Sequence, residues 1–177
     1  DTLRASGLTI DEAKLPDLPY EAAAVVALQV EAVQAFEKLY TSGDVRKLVD
    51  ERAPIQAEVA RAVSGSDYLR ALRLRLVMQQ AMNKFFEDYD LIVAPGFLKV
   101  APGVTEDMDT YFSGTDPVGG MGNLCGVPMA ALPMGLGKHG MPVGFQLVAP
   151  AFDEALLLRV GMEFQRKTTF HLARPAA

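Results

Sequence analysis

The chain has 177 residues, 50% of them hydrophobic and 22% charged, with a formal charge of -5. This composition supports a packed core and excludes wholesale disorder, and its acidic balance argues against a nucleic-acid-binding surface. A single cysteine, Cys125, excludes an internal disulfide and any multi-cysteine zinc site. One cysteine is compatible with a reducing compartment, and the expected location is the cytoplasm. No apolar run approaches the ~20 residues that span a bilayer, so no membrane association is expected. Asp1-Thr2-Leu3-Arg4 has neither an initiator Met nor a signal-peptide pattern and reads as the interior of a mature chain.

Leu8 and Ile10 alternate with polar neighbours before Pro16 and Pro19, which predicts a short strand and a turn. A helix should follow, with Pro19 at its first position, Glu21 in its first turn and Gly43 as its stop. Val25, Leu28, Ala32, Ala35 and Leu39 would form its buried stripe. Short helices are expected over 44–51 and 55–63. The longest helix should run from Asp67 to Asp88, with Ser66 as its N-cap. One row along it is apolar: Leu74, Val77, Ala81 and Phe85. A second reads Tyr68, Leu72, Arg75, Gln79, Met82, Phe86, apolar at its ends and polar in the middle.

Asp90 to Pro95 is the aliphatic run of a buried strand. The stretch from Val93 to Pro150 then holds 11 of the 15 glycines and 7 of the 11 prolines. Two more strands are predicted over 127–132 and 143–148, joined by a hairpin turn at Leu136–Gly140. A last helix should open at Asp153 or Glu154 and share Leu156, Val160 and Phe164 on one face. This order predicts an α/β fold with a mixed β-sheet flanked by helices.

The Gly-rich stretch Ser113–Gly126 has neither dinucleotide-loop nor P-loop spacing and reads as a long loop that lets the backbone approach another group closely. Cys125, between Leu and Gly before a strand, reads as a small buried hydrophobe rather than a nucleophile. His139 falls in the hairpin turn, and His171 is placed to cap the final helix. Glu106, Asp107 and Asp109 lack calcium-loop spacing, and no cofactor or metal is expected. No serine has glycines two residues on each side, so a hydrolase elbow is missing. Arg75, in mid-row on its helix, must snorkel, pair with a carboxylate or face a polar cavity. Asp116 precedes a proline, where an Asx-type turn is the ordinary role. The sharper reading is that Arg75 and Asp116 bind a substrate's carboxylate and amine.

Three ordered segments carry a resemblance. Asn123-Leu124-Cys125-Gly126-Val127-Pro128-Met129-Ala130-Ala131-Leu132-Pro133-Met134-Gly135 resembles the Asn-Leu-x-Gly-x-Pro-x-x-x-x-Pro-x-Gly segment of the amidase signature family. Gly140-Met141-Pro142-Val143-Gly144-Phe145-Gln146-Leu147-Val148 is similar to its Gly-Leu-Pro-x-Gly-x-Gln-hydrophobic segment. Tyr89 to Pro95 resembles its Tyr-Asp-x-hydrophobic-x-x-Pro strand. The resemblance covers residues 1–177 as the C-terminal portion of a single amidase signature domain, without its N-terminal catalytic portion.

The resemblance implies an enzyme that hydrolyses a small-molecule amide through a Lys and two Ser residues. None of the five serines (Ser6, Ser42, Ser64, Ser66, Ser113) lies in a Gly-Gly-Ser-Ser-Gly-Gly segment. No catalytic residue is therefore expected in this chain, which would supply scaffold and substrate wall. In the glutamine-using members an Arg on the long helix and an Asp ahead of Asn-Leu-x-Gly hold the substrate. Arg75 lies fifteen residues before Asp90 and Asp116 seven before Asn123, which matches those positions. Gly119, Gly120, Met121, Gly122 and Asn123 would form a pocket loop, where the glutamine-using members resemble Thr-x-Pro-x-Asn. Two alternatives stay open: a non-catalytic, partner-binding fragment, and the glutamine-hydrolysing subunit for tRNA-dependent amidation. The expected partners are the missing N-terminal portion or a companion chain, and exposed sheet edges also predict self-association.

Overall fold

The computed structural model describes residues 1–107, 111 and 116–174. In chain order the helices are α1 (Thr2–Ala5), α2 (Tyr20–Ala35), α3 (Glu37–Thr41), α4 (Ala53–Ala62) and α5 (Gly65–Phe85). Strand β1 (Ile92–Pro95) follows, then α6 (Gly119–Cys125), β2 (Met129–Leu136), β3 (Pro142–Val148) and α7 (Glu154–Arg166). The chain divides into two compact units, residues 17–81 and residues 1–16 with 82–177.

In the first unit α2 packs against α4. Helix α2 is apolar nearly all round, so its periodicity does not single out one face. The expected stripe is therefore wrong: Val25 and Leu28 are exposed, whereas Ala23 is buried and Val26, Ala27, Val30 and Val33 are half-buried. The predicted stop at Gly43 closes α3 rather than α2, with Gly43 in the left-handed region at φ 79°. The helix expected over 44–51 is a single 3-10 turn, Asp44–Lys47, whose Val45 is buried.

Helix α5 starts earlier than predicted. The Asp67 amide donates to Ser64 Oγ at 3.1 Å, so Ser64, not Ser66, closes its first turn. Its most buried positions are Ala71, Met78 and Met82, a stripe in which Arg75 holds the intervening place. The expected row is partly outside: Leu74 and Val77 are exposed.

Tyr68 on α5 donates its hydroxyl to Glu31 Oε1 on α2 at 3.1 Å. That bond pushes the Tyr68 phenol above its ordinary value, reinforced by burial and the Glu31 charge and opposed by Arg75. The bond's contribution is full below the unfolded phenol value and is lost as pH rises through the folded one. Glu31→Gln should move the Tyr68 titration midpoint down toward that of an ordinary tyrosine, read by NMR of ring-labelled tyrosine. An unmoved midpoint would show that Glu31 does not hold the phenol.

In the second unit the three strands stand in the order β1-β3-β2. The α/β class with flanking helices is as expected, whereas the sheet expected to be mixed is antiparallel in both described pairings. The predicted hairpin is present, its turn a 3-10 segment at Lys138–Gly140 with exposed His139 at φ 58°. The two-residue pleat divides β3 as far as Leu147, while Val148 on the other face is also fully buried. Phe145 and Leu147 turn to one face, where they pack with Leu132, Leu157, Val160 and Phe164. The Phe145 and Phe164 rings meet edge-on at 4.8 Å. Asp153 caps α7, its carboxylate accepting from the Leu156 amide at 3.3 Å.

Leu8 and Ile10 form no strand. The Leu8 amide donates to Leu3 O and the Arg4 guanidinium to Ile10 O, so local bonds replace a ladder. Their side chains still pack against the core beside Leu3 of α1. His171 does not cap α7. The Lys167 amide and the Thr168 hydroxyl take the Phe164 carbonyl, and His171 lies beyond, in the turn Phe170–Leu172. No helix among the described residues is long and apolar enough to cross a membrane.

Candidate functional site

The face of β3 opposite the core carries Gly144 and Gln146. Gln146 lies between Ala94 of β1 and Ala131 of β2 across the ladder. Small neighbours on both sides leave room above the sheet. A cavity of about 420 Å³ occupies this region, lined by Gly96, Lys99, Asp116, Ala131, Gly144 and Gln146 among others.

Asp116 stands at this cavity and is otherwise exposed. Its Oδ1 accepts from the amides of Val118 at 3.2 Å and Gly119 at 2.8 Å. This is the Asx-type turn expected before Pro117. The turn starts a helix where a loop was expected. Gly119, Gly120, Met121, Gly122 and Asn123 form the first five residues of α6, which ends at Gly126 in the left-handed region. Gly119, Met121 and Gly122 are buried, Gly120 is half-buried and Asn123 is exposed. The expectation of close backbone approach holds: a Cβ on Gly119 would run into the Asp116 carboxylate, and one on Gly122 into Met129 Sδ.

Arg75 is exposed on α5 in the unit of residues 17–81, and Asp116 belongs to the other unit. Among the described residues Arg75 makes no ion pair, and its charge acts on Tyr68, about two turns earlier on the same helix. Cys125 is buried, as a small hydrophobe would be. Glu106 and Asp107 are described and Asp109 lies outside the described residues. Among the described residues no group of three acidic, His or Cys side chains is placed to hold a metal ion.

Gln146 is the site residue to which the sequence reading gave no role, although it is the Gln of the Gly-Leu-Pro-x-Gly-x-Gln segment. Its Nε2 donates to Gly96 O at 3.0 Å and to Asp116 Oδ1 at 3.2 Å, with Pro95 O at 3.4 Å. One amide thus ties the end of β1 to the turn before α6. The available signal was a polar residue between Phe145 and Leu147, which period-two alternation sends to the face away from the core.

The family model "Amidase" matches residues 1–158. This chain belongs to the amidase family. The amidase chain is 29% identical to the A-type subunit of glutamyl-tRNA(Gln) amidotransferase from Ligilactobacillus salivarius, over 98% of its own length and 41% of that protein. The corresponding protein of Methanococcoides burtonii is 34% identical over 61% of this chain and 23% of its own length. A solved amidase crystal structure shares the fold with a TM-score of 0.79 at 22% identity, over 93% of this chain and 39% of that one. This amidase-family chain therefore spans about two fifths of the length of relatives it matches end to end.

Proposed function

We propose that this chain is the C-terminal portion of an amidase domain and forms the substrate wall for hydrolysis of a carboxylic amide. In the complete enzyme a Lys takes a proton through a first Ser, and a second Ser attacks the amide carbonyl. Ammonia or an amine leaves with a proton, and water cleaves the acyl-enzyme to the carboxylic acid. These three residues would lie on the part of the domain outside this sequence. The observation that carries the reading is the family match over a chain with no paired-serine glycine segment.

On this reading Arg75 holds a substrate carboxylate and Asp116 its ammonium group, while 119–123 back the pocket. Support comes from the register of both residues with the motifs and from Asp116 lining a cavity. The companion is the remaining part of the domain. Apolar side chains stand open for it on several helices: Leu28 on α2, Ile55 and Val59 on α4, Leu69 and Leu76 on α5, Leu158 and Met162 on α7. Exposed apolar side chains on each unit support a contact with a companion.

A second reading, glutamine hydrolysis in support of tRNA-dependent amidation, is favoured by the names of the similar amidotransferase chains. Gly119-Gly120-Met121-Gly122 in place of Thr-x-Pro-x favours a general amidase.

The test is ammonia release. This chain alone should release none from glutamine, benzamide or an amino-acid amide, and turnover by it would overturn the reading. In the complete enzyme Arg75→Ala should lower kcat/KM for carboxylate-bearing amides by about 10–100-fold, the loss of one charge-assisted hydrogen bond. Neutral amides should be spared. Equal loss on both would remove the recognition role, and a strong preference for glutamine would favour the second reading.

A further inference from the structure

We infer that Gln146 is a positioning residue for substrate recognition: it aims the Asp116 carboxylate into the cavity without neutralising it. The inference rests on the reading that Asp116 binds an ammonium group. A carboxylate on an exposed turn ordinarily samples several rotamers, and an attractive charge is effective only when held toward its ligand. Here Oδ1 is held from two directions. The Val118 and Gly119 amides fix it to the start of α6, and Gln146 Nε2 fixes it to the sheet. The same Nε2 also donates to Gly96 O, which anchors it to the end of β1. With Oδ1 engaged, the carboxylate has left for a ligand the lone pairs of Oδ2, which packs over Gly119 where glycine leaves it room.

The chemistry of the clamp decides what it is for. A Lys or Arg reaching Asp116 from the sheet would orient it equally well, but the ion pair would cancel the charge that attracts a cation. A primary amide gives two N–H donors and no charge. It uses them on a backbone carbonyl and on the carboxylate. The neighbours are equally suited: Ala94 and Ala131 flank Gln146 and let its amide reach across the sheet. A glutamine that merely filled space on a solvated sheet face would not need both donors engaged. The ligand class is therefore a primary amine or amino-amide with an apolar body: Phe97, Ala101, Ala131 and Val143 supply apolar lining, and Lys99, which also lines the cavity, has its ammonium engaged by Tyr111 O at 3.1 Å.

The probes are benzylamine, a cation at neutral pH, and benzyl alcohol, its neutral counterpart of similar shape. Both are titrated into this chain and its variants and followed through the amide NMR signals of Gly96 and Gly144. The wild type should prefer benzylammonium, and Asp116→Asn should abolish the preference. Gln146→Met keeps the volume and removes the donors, and it should reduce the preference roughly ten- to a hundredfold, the effect of one lost hydrogen bond to a charged group. Its affinity for benzyl alcohol should be unchanged, which a merely structural role would not predict. Should Gln146→Met fail to fold, Gln146→Asn, with its amide withdrawn by one methylene, carries the same expectation.

If Asp116→Asn abolishes the preference and the Gln146 variants keep it, the positioning role is overturned and the Asp116 reading stands. If the wild type shows no preference, or Asp116→Asn retains it, the Asp116 reading fails and takes this inference with it.

Discussion

Leu147→Ala should destabilise the unit of residues 1–16 and 82–177 by about 2–5 kcal/mol, the range for truncating a buried leucine. Leu147 is fully buried in the middle strand, opposite Val93 on one side and Ala130 on the other. Neither neighbour can refill the space: Ala130 is too short, and β-branched Val93 is held in its ladder place. The core it belongs to joins Leu3 from the start of the chain with Phe145, Leu157 and Phe164 near its end. A cavity there weakens contacts that close the unit across most of its sequence. Urea unfolding followed by intrinsic fluorescence measures the loss. Leu158→Ala on the exposed side of α7 should stay within about 0.5 kcal/mol of wild type. A loss under about 1 kcal/mol at Leu147 would show that this cluster is not the packed core.

Gly144→Val should also destabilise, by about 1–3 kcal/mol, although valine is among the favoured strand residues. The reason is space. A Cβ at Gly144 would stand 2.9 Å from the Leu132 carbonyl oxygen, which is backbone of the adjacent strand and cannot rotate away. The Gly144 carbonyl also receives the Gly96 amide at 2.9 Å, so moving the strand breaks a second bond at the mouth of the cavity. The β2 register already slips between Pro133 and Gly135, beside the Gly144 pair. Gly65→Ala is the counterpart, since nothing lies within 4 Å of a Cβ there. Helix propensity alone should then make it neutral or stabilising by up to about 1 kcal/mol. Gain rather than loss of stability in Gly144→Val would mean that strand propensity, not crowding, governs this position.

The sheet and its hairpin were legible because each signal was local. Pro128 and Pro142 ahead of alternating runs, and Gly137 to Gly140 between them, specify strand, turn and strand within a few residues. Asp153 as a cap and Val160 and Phe164 on the face of α7 are local in the same sense, while the leucine buried with them is Leu157 and the expected Leu156 is only half-buried. The helical half read less well. Alanine-rich α2 presents apolar groups in all directions, so which face is covered depends on where α4 packs, not on its own period. Leu8 and Ile10 misled for a related reason. Alternation marks two side chains that point to the core, and a strand additionally needs a partner edge, which local hydrogen bonds had replaced.

The site divides in the same way. Asp116 could be picked out by its place before Pro117 and its distance from Asn123, and its Asx-type turn is written in four consecutive residues. That the turn launches helix α6 instead of a loop was hidden, since four glycines in eight residues argue for loop by propensity. Tertiary burial of Met121, Leu124 and Cys125 outweighs that preference.

From the amino-acid order alone came the family, the α/β class and the missing serine–glycine segment, because motifs and short-range periodicity are properties of neighbours in the chain. The clamp of Gln146 on Asp116 joins residues thirty positions apart and reaches Gly96 fifty positions away. Only the antiparallel pairing of β1, β3 and β2 sets those groups within hydrogen-bonding distance. A hydrogen bond depends on separations of a few tenths of an ångström, which long-range packing determines and local propensity does not.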